Sequence, residues 1–345
     1  MFELIGQKKI INLLQHGLNN GYLAHAYIFT GPEHIGKMKL ALELAMALNC
    51  TGKAPPCHEC PSCKKIAAGN HSDVQVIRLT QAGEDETEAP SEAMRISIDQ
   101  VKEVQHSANL PPFEGKQRIY IIEGAEQLSM EAANRLLKTL EEPPDHVTFI
   151  LITVNAKLLL STVISRCQRI EFPPMPLDEE AAALAENLHL EPERARLLAA
   201  LSRGCPGWAI NATADEVILE RRNVNLDGVV NTIKADADER FAYAARLAGG
   251  FTQNRKAVYD ILDVWQDYWR DMMLVKTGCP QLIINSDRKD EIIKIAERFS
   301  LVGIKNAIAR IRAAGTQLKQ NVNPRLALEV LMLDLPGEET LSSKH

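Results

Sequence analysis

The sequence lacks long hydrophobic runs and an excess of positive charge, and these two gaps exclude broad classes of protein. No stretch approaches the roughly 18 consecutive apolar residues that span a membrane, and the first ten residues contain no apolar core of a signal peptide. The chain has 39 basic and 45 acidic residues, a net charge of −6. Proteins that coat nucleic acid by bulk charge have the opposite balance. We therefore expect a cytoplasmic protein with no membrane partner.

What the chain does contain is typical of a globular protein with two or three domains. It has 345 residues, of which 46% are hydrophobic and 24% charged. Strand-like and helix-like segments alternate over residues 1–174, which predicts an α/β domain with a mostly parallel sheet and helices on both faces. The predicted strands are Tyr27–Thr30, Val74–Leu79, Arg118–Glu123, Val147–Thr153 and Gln168–Phe172.

The composition changes after three prolines at positions 173, 174 and 176. Alanine- and leucine-rich segments predict a small helical lid domain over residues 175–213. An all-helical domain for oligomerisation, a collar, is predicted over 214–335, and residues 336–345 are a polar tail. Residues 81–93 are acidic and rich in small side chains, which predicts a mobile loop. The aromatic group Trp265, Tyr268 and Trp269 is typical of helix packing, although stacking on nucleic acid is an alternative.

The segment from Gly31 to Met38 is a phosphate-binding loop that lacks one functional group. Such a loop requires Gly-x4-Gly-Lys and then Ser or Thr, because backbone N–H groups and the lysine bind phosphates while the hydroxyl binds magnesium. Gly31, Gly36 and Lys37 are present, but Met38 replaces the hydroxyl residue. An apolar strand precedes the loop and an amphipathic helix follows it, as the motif requires. The alternative is an ordinary glycine turn between a strand and a helix.

The companion segment of a nucleotide site lacks its catalytic carboxylate. In such sites, an apolar strand leads to an acidic residue for magnesium and then to a glutamate that polarises water. Here Glu123 follows the apolar strand, and Gly124 stands where the glutamate belongs. Glycine cannot act as a base or orient water. Glu126 lies two residues further along, in the next loop or helix start, and is a poor substitute.

Four of the seven cysteines lie within fourteen residues and predict a metal site. Cys50, Cys57, Cys60 and Cys63 have the spacing C-x6-C-x2-C-x2-C. Four thiolates at this spacing can surround one zinc ion, and a site with no open position is structural. An iron–sulfur cluster is the alternative, since it also uses four thiolates. We interpret His58 as a solvated or neighbouring residue rather than a ligand.

Three further segments resemble the clamp-loader branch of the AAA+ ATPases. They are the runs at residues 134–144 (NRLLKTLEEPP), 149–153 (FILIT) and 165–168 (SRCQ), which occur in the order of that family. A four-cysteine insertion after the helix that follows the phosphate loop also resembles bacterial clamp loaders. The likeness covers residues 1–175 strongly and the remainder only in its organisation.

The resemblance implies roles for individual residues. It implies a degenerate nucleotide site, at which ATP or ADP binding is left open, formed by Gly31, Gly36, Lys37, Glu123 and Asn155. Asn155 lies near the polar position that senses the γ-phosphate. Arg166 matches the arginine that these rings insert into a neighbour's ATP site, whereas a surface arginine paired with a local carboxylate is the alternative. The second-domain arginine of the family is not evident, because Trp208 lies near its position.

The resemblance also implies a function. The chain would be a non-hydrolysing subunit of the clamp loader of bacterial DNA polymerase III, a nucleotidyltransferase complex, with no activity of its own. Its partners would be ATPase subunits of the tau/gamma type, a delta-type subunit, the sliding clamp and primer–template DNA. One alternative is an active stand-alone AAA+ ATPase in replication or repair, in which Lys37 and Glu123 suffice. Another is a zinc-dependent protein that binds nucleic acid in a salt-sensitive way.

Overall fold

The computed structural model describes residues 2–79, 96–320 and 322–337. The predicted mobile loop at 81–93 and all but two residues of the predicted polar tail lie outside this range. All five predicted strands are present within it. Their bounds are β1 (Ala26–Thr30), β2 (Val74–Ile77), β3 (Arg118–Glu123), β4 (Val147–Thr153) and β5 (Gln168–Glu171). All the pairings are parallel and the order is β2-β3-β4-β1-β5, so the predicted parallel sheet is confirmed.

Helices cover both faces of this sheet. They are α1 (Lys8–Asn20), α2 (Lys37–Asn49), α3 (Pro61–Ala67), α4 (Ile98–Ala108), α5 (Met130–Glu141) and α6 (Ser161–Ile164). Side chains alternate along each strand, so Phe29 packs in the cluster that contains α1 and α2, and Ile28 packs in the cluster that contains α4 and α5. The strands β1, β3 and β4 are buried on both faces and are therefore largely apolar runs, which is why they were recognisable in the sequence.

The parallel arrangement fixes which loops share an edge of the sheet. The segments that follow β1, β3 and β4 leave from the carboxyl ends of the strands, where ligands bind in open α/β sheets. The phosphate loop, Glu123 and Asn155 therefore belong to one edge. Residues 110–117 precede β3, and Arg166 precedes β5, so these belong to the opposite edge.

The described residues divide into two compact units, one formed by 2–183 with 203–208 and the other by 184–202 with 209–337. The remaining helices are α7 (Leu177–Leu188), α8 (Pro192–Ser202), α9 (Pro206–Ala214), α10 (Glu216–Lys234), α11 (Ala237–Gln253), α12 (Arg255–Lys276), α13 (Lys289–Glu297), α14 (Leu301–Lys319) and α15 (Pro324–Asp334). The finer division at residues 174, 213 and 335 remains a proposal. None of the helices in the described range is long and apolar enough to cross a membrane.

The aromatic group of the second unit is part of its core. Trp265, Tyr268 and Trp269 on α12 are at most 1% exposed and pack with α10, α11, α13, α14 and α15. Their rings are therefore closed to nucleic acid, and the packing interpretation is confirmed.

Candidate functional site

The phosphate loop at residues 31–36 links β1 to α2 in a form that requires its glycines. Gly31 and Gly36 have φ of 150° and 101°, in the range that other residues rarely adopt. A Cβ atom on Gly31 would lie 2.6 Å from the carbonyl oxygen of Phe172. Gly31 N–H donates to the carbonyl of Thr153 at the end of β4, at 3.3 Å. Because α2 begins at Lys37, its positive N-terminal end lies at the loop.

The Lys37 ammonium is turned onto the loop itself. Its Nζ donates to the carbonyl oxygens of Gly31 and Pro32, both at 2.6 Å, and the residue is only 7% exposed. Burial lowers the pKa of Lys37, an effect that the charges of Glu33 and Glu126 oppose. A bound phosphate would have to replace these two carbonyls as the partner of the ammonium.

On the metal side of the site, the replaced residues have other partners. Met38 is half-buried and packs against the apolar cluster that α2 forms with the sheet. The Glu123 carboxylate forms an ion pair with Arg78, with Oε2 2.7 Å from Nε. The acid that was expected to hold magnesium is therefore already paired with a cation of the chain.

Gly124 occupies a conformation that a glutamate would adopt only with strain. Its φ is +71°, and a Cβ atom there would lie 2.8 Å from Oε1 of Gln127. Glu126 lies in the short 3-10 helix Ala125–Gln127 that follows, as its position in the sequence indicated. Backbone geometry thus agrees with the loss of the catalytic carboxylate at this position.

Asn155 lies at the same edge as the phosphate loop. Residue 153 at the end of β4 pairs in register with residue 30 at the end of β1, which brings Asn155 beside the start of the loop. Its Oδ1 accepts from the N–H of Lys157 at 3.0 Å and caps the 3-10 helix Ala156–Leu158. The structure thus groups the five predicted nucleotide-site residues, while the sensing role of Asn155 stays a prediction.

One neighbour of the phosphate loop was missed from the sequence. Gly207 N–H donates to the carbonyl of His34 at 2.9 Å, and a Cβ atom on Gly207 would lie 2.5 Å from that oxygen. Gly204 accepts from Met175 N–H at 2.9 Å, which fixes the same turn. The Gly-Cys-Pro-Gly sequence at 204–207 predicted a break between helices but not a contact with the phosphate loop. The signal available in the sequence was the glycine itself, because a residue without a side chain lets another backbone segment approach closely.

Arg166 follows α6 and is held by its own subunit. Its Nη2 lies 2.5 Å from Oε1 of Glu141 at the end of α5, and its Nη1 donates to the carbonyl of Thr162 at 2.9 Å. The side chain remains 34% exposed. Pairing with a local carboxylate, one of the two interpretations, is therefore present in the single chain, and the trans-acting role stays a prediction. Arg169 on β5 is exposed and pairs with Glu171.

The four predicted metal ligands converge. The sulfurs of Cys50, Cys57, Cys60 and Cys63 all lie within 4.8 Å of one another. A tetrahedral zinc site with bonds of about 2.3 Å requires sulfurs about 3.8 Å apart, close to this spacing. Three backbone N–H groups donate to these sulfurs: Gly52 to Cys50 at 3.3 Å, Cys60 to Cys57 at 3.4 Å and Cys63 to Cys60 at 3.4 Å.

These contacts favour the thiolate form at Cys60, whereas burial and the hydrogen bond with Cys60 raise the pKa of Cys63 to about 12, so a metal would have to displace the proton of that thiol. Burial opposes ionisation of Cys60, but hydrogen bonds from the backbone of Thr51 and Cys63 outweigh it and lower the pKa of Cys60 to about 5. The donor set therefore fits a closed four-thiolate metal site.

His58 lies outside the group of four sulfurs. Its Nε2 is 3.4 Å from Oε2 of Glu43, a carboxylate on α2 that is fully buried, and Lys39 lies 3.1 Å from the other oxygen of Glu43. The pairing connects the cysteine segment to α2, the helix that begins at Lys37. His58 is thus a neighbour of the cysteine site, as interpreted from the sequence.

Comparison with known proteins gives the family of this chain. The family model described as "DNA polymerase III, delta subunit" matches residues 6–176, and the model of its C-terminal part matches residues 239–336. DNA polymerase III subunit delta′ of Bacillus subtilis is 30% identical over 95% of this chain and 96% of its own length. The chain belongs to the DNA polymerase III delta-prime family. With the parallel five-stranded sheet, this membership confirms the expected AAA+ class of this delta-prime protein and its place in DNA replication.

The chain is also similar in sequence to other DNA polymerase III subunits. The tau subunit of Bacillus subtilis is 27% identical over 96% of this chain, which spans 61% of that longer relative. Among solved structures, a RuvB variant from Thermotoga maritima is 19% identical, covering 66% of this chain and 65% of its own, with a TM-score of 0.40.

Proposed function

We propose that this delta-prime family member is a non-hydrolysing subunit of a bacterial clamp loader. Its partners are ATPase subunits of the tau/gamma type and a delta-type subunit in a hetero-oligomeric ring, together with the sliding clamp and primer–template DNA. The observation that carries the proposal is an asymmetry within one domain. The chain's own metal and water positions are replaced or paired internally, whereas Arg166 is presented at the surface in a fixed orientation.

Arg166 performs the chemistry of this proposal in the neighbouring subunit. A guanidinium aimed at the transferred phosphate stabilises transition-state charge, an effect of about 10³ to 10⁵ in rate for arginine fingers. To reach the neighbour's phosphate, Arg166 exchanges its Glu141 partner for the phosphate oxygens. The hydrogen bonds that Arg166 Nη1 donates to the carbonyl of Thr162 and the hydroxyl of Ser165 hold one side of the guanidinium in place during that exchange.

Lys37 has a structural role in the same proposal. Its ammonium satisfies the carbonyls of Gly31 and Pro32 and so keeps the loop closed on itself. Without a hydroxyl at Met38 and with Glu123 paired to Arg78, the described residues around the loop include no set that anchors magnesium. We infer that any nucleotide held at Lys37 is bound without being hydrolysed.

The four cysteines hold zinc in this proposal. A bound ion would supply a fixed tetrahedral cross-link between residues 50 and 63 and no reaction chemistry. The backbone N–H groups that donate to the sulfurs spread the negative charge of the thiolates. The ion would thus complete the fold of the segment that pairs with α2 through His58 and Glu43.

The test is the DNA-stimulated ATPase rate of the reconstituted loader. Arg166→Ala is expected to lower the rate of hydrolysis at the adjacent ATP site by about 10³-fold or more. Most of the loader's turnover is then lost if its ATP sites hydrolyse in a concerted manner. Lys37→Ala is expected to leave the rate nearly unchanged. Arg169→Ala is the matched control. It removes an exposed arginine three positions away, whose ion pair is with Glu171 of the same strand, β5.

The reverse pattern would favour the rival function. If Lys37→Ala abolished turnover, or if the isolated chain hydrolysed ATP in a Lys37-dependent way, the site would be active and the chain would be an ATPase in its own right. Equal loss in Arg166→Ala and Arg169→Ala would indicate a general surface effect and contradict the trans-acting role.

A further inference from the structure

A second group of metal-binding side chains lies where the N-terminal segment, α2 and the cysteine segment meet. It consists of Glu3, Glu43 and His58, and one ligand atom from each lies within 4.8 Å of the others. His58 Nε2 is 3.4 Å from Oε2 of Glu43 and 4.0 Å from Oε1 of Glu3. None of the three residues belongs to the phosphate loop or to the four cysteines, so this group is separate from both candidate sites.

The carboxylate of Glu43 distinguishes this group from an ordinary cluster of surface charges. Glu43 is fully buried, yet neither of its oxygens accepts a hydrogen bond from any residue that the structure describes. An ionised group in the interior is costly unless its oxygens are satisfied. Asp73 and Asp271, which are also buried, accept three hydrogen bonds each. Glu43 therefore lacks the hydrogen bonds that two comparable carboxylates have.

The two oxygens of Glu43 face different neighbours. Oε1 lies 3.1 Å from the ammonium of Lys39, whose side chain is 50% exposed, so water weakens this ion pair. Oε2 faces the imidazole of His58. Carboxylates that bind metals commonly have this arrangement, with one oxygen on the ion and an outer partner for the rest of the group. The pairing with Lys39 thus orients Glu43 so that Oε2 is presented to His58 and Glu3.

The separations between the ligand atoms suit a single ion. Zinc bonds to imidazole nitrogen and carboxylate oxygen are about 2.0–2.2 Å long, so two such ligand atoms at the tetrahedral angle lie about 3.4 Å apart. The distance between His58 Nε2 and Glu43 Oε2 has this value. Glu3 lies slightly further away, but its side chain is 67% exposed and can rotate towards the ion. Only the exposed ligand has to move.

The cysteine segment fixes the position of the imidazole ligand. His58 follows Cys57 directly, and its backbone N–H donates to the sulfur of Cys63. Its side chain is 27% exposed, between the buried Glu43 and the exposed Glu3. Because two of the three ligands are held in place before any ion binds, the entropy cost of assembling the group is small.

We propose that Glu3, Glu43 and His58 bind a second divalent metal ion, for which zinc is the best match. One imidazole nitrogen and two carboxylate oxygens form a mixed set of ligands that suits zinc, whereas magnesium and calcium prefer oxygen ligands throughout. With three protein ligands, the ion keeps a position for water, unlike an ion held by four thiolates. It is therefore bound more weakly than an ion at the cysteines. The site does not depend on the proposed clamp-loader function.

An ion at this site would link the N-terminal segment to the helix that follows the phosphate loop. Phe2, on one side of Glu3, is 7% exposed and packs in the cluster that contains α1 and α2. Leu4, on the other side, packs against the phosphate loop, since a Cβ atom on Gly36 would lie 2.6 Å from Cδ1 of Leu4. Binding of the ion by Glu3 and Glu43 therefore ties residues 2–4 to α2 and restrains the segment that covers Gly36.

The test is calorimetric titration of zinc into the full-length chain that already holds metal at its cysteines. One further ion per chain is expected to bind. Glu43→Gln removes the charge of the buried ligand with little change of shape and is expected to raise the Kd of this ion about 10–100-fold or more, since even the loss of an outer partner of a ligand has an effect of that size. Glu59→Gln is the matched control, because Glu59 is an exposed acid next to His58 and outside the group. It is expected to leave the Kd unchanged.

A second variant guards against misfolding of the first. Glu3→Gln changes an exposed side chain, so it leaves the core intact, and it is expected to raise the Kd in the same direction. Metal analysis should still find the ion at the cysteines in every variant. Binding of no further ion by the wild type would overturn the inference and mean that an ion pair alone joins His58 to the two carboxylates. Wild-type affinity in Glu3→Gln, or an equal loss in Glu59→Gln, would also overturn it. Magnesium that displaced the zinc would contradict the choice of metal.

Discussion

The two ends of α2 carry two candidate sites, and they differ in how complete they are. At the N-terminal end, the phosphate loop keeps its glycines and lysine, but the polar groups of the site satisfy one another: Lys37 binds loop carbonyls and Glu123 binds Arg78. At the C-terminal end, four sulfurs converge and accept hydrogen bonds from backbone N–H groups. The charged groups of the phosphate loop are paired within the chain, whereas the four sulfurs are arranged as ligands for a cation.

The comparison shows that a phosphate loop can lose the side chains that bind its metal and still keep its backbone conformation. The phosphate loop still connects β1 to α2, packs against the turn at Gly207 and tolerates no side chain at Gly31. These are requirements of the fold, and they remain when the metal ligands have been replaced. A four-thiolate site has no comparable structural role without its metal, because clustered thiolates repel one another.

Loss of a metal ligand is expected to have the largest effect, on both the metal content and the free energy of unfolding. Cys63→Ser should abolish binding of one zinc ion per chain and lower the free energy of unfolding by about 3 kcal/mol or more, since structural zinc binding in peptides contributes about 10–16 kcal/mol. Metal content by mass spectrometry and denaturant unfolding would measure both. Cys279→Ser is the matched control, because Cys279 lies outside the cluster.

The same measurement decides between the metals. Iron together with acid-labile sulfide in the purified chain would establish the iron–sulfur alternative. A stoichiometric zinc content with no stability change in Cys63→Ser would contradict the structural role.

Substituting Gly124 is expected to have an intermediate effect. Gly124→Ala should destabilise the chain by about 1–2 kcal/mol, the cost of placing a side chain in the left-handed region. Gly69→Ala is a matched control for backbone strain alone, because Gly69 has a φ of +73° with open space around it, whereas a Cβ on Gly124 meets Gln127. The two losses in unfolding free energy should be similar, with the larger at Gly124.

Gly124→Glu extends this comparison to activity. It restores a carboxylate at the position where the sequence motif expects one, but Met38 and the Glu123–Arg78 pair are unchanged. We expect no ATP hydrolysis by the isolated variant, measured as phosphate release. Measurable turnover would show that the missing glutamate alone had silenced the site.

The smallest expected effect concerns Asp73, a buried carboxylate that accepts from the backbone N–H groups of residues 113–115. Burial of Asp73 opposes its ionisation, but N–H bonds from Phe113, Glu114 and Gly115 and the charge of Arg118 outweigh it and lower the pKa of Asp73. Because the folded-state pKa lies below the ordinary value of about 3.9, the stabilisation is complete above that pH and is lost as the pH falls through the folded value.

Unfolding free energies between pH 5 and 2.5 would measure this. The difference between the wild type and Asp73→Asn should shrink as the pH falls, since protonation abolishes the same charge in the wild type. Asp99→Asn, at a side chain that is 75% exposed, is the control and should show a much smaller change. A constant difference over this range would show that the ionised form of Asp73 does not carry the anchoring.

Local sequence patterns sufficed for the sheet and for the cysteine site. The strands β1, β3 and β4 are largely apolar runs because they are buried on both faces, and a run such as residues 147–153 has few alternatives. The cysteine ligands lie close together in the sequence, so their spacing alone restricts the geometry. The glycines of the phosphate loop were recognisable for the same reason, because their backbone conformation excludes other residues.

The partners of the polar side chains were not predictable in this way. The pairs Glu123–Arg78, Arg166–Glu141 and Gly207–His34 join segments far apart in the sequence, and each depends on how strands and helices pack. The anchoring of residues 113–115 by Asp73 has the same origin. A carboxylate before a strand and an aromatic residue in a loop are both common, and only the tertiary structure places them together.

The ion pair between Arg166 and Glu141 has a consequence for the entropy of assembly. A free arginine side chain loses up to about 2 kcal/mol of rotamer freedom when it is fixed in an interface. Arg166 has already lost much of this freedom in the single chain, through Glu141, Thr162 and Ser165. In the proposed ring, a neighbour therefore meets a side chain that is already ordered. The net gain on docking is set by how much better a nucleotide phosphate holds the guanidinium than Glu141 does.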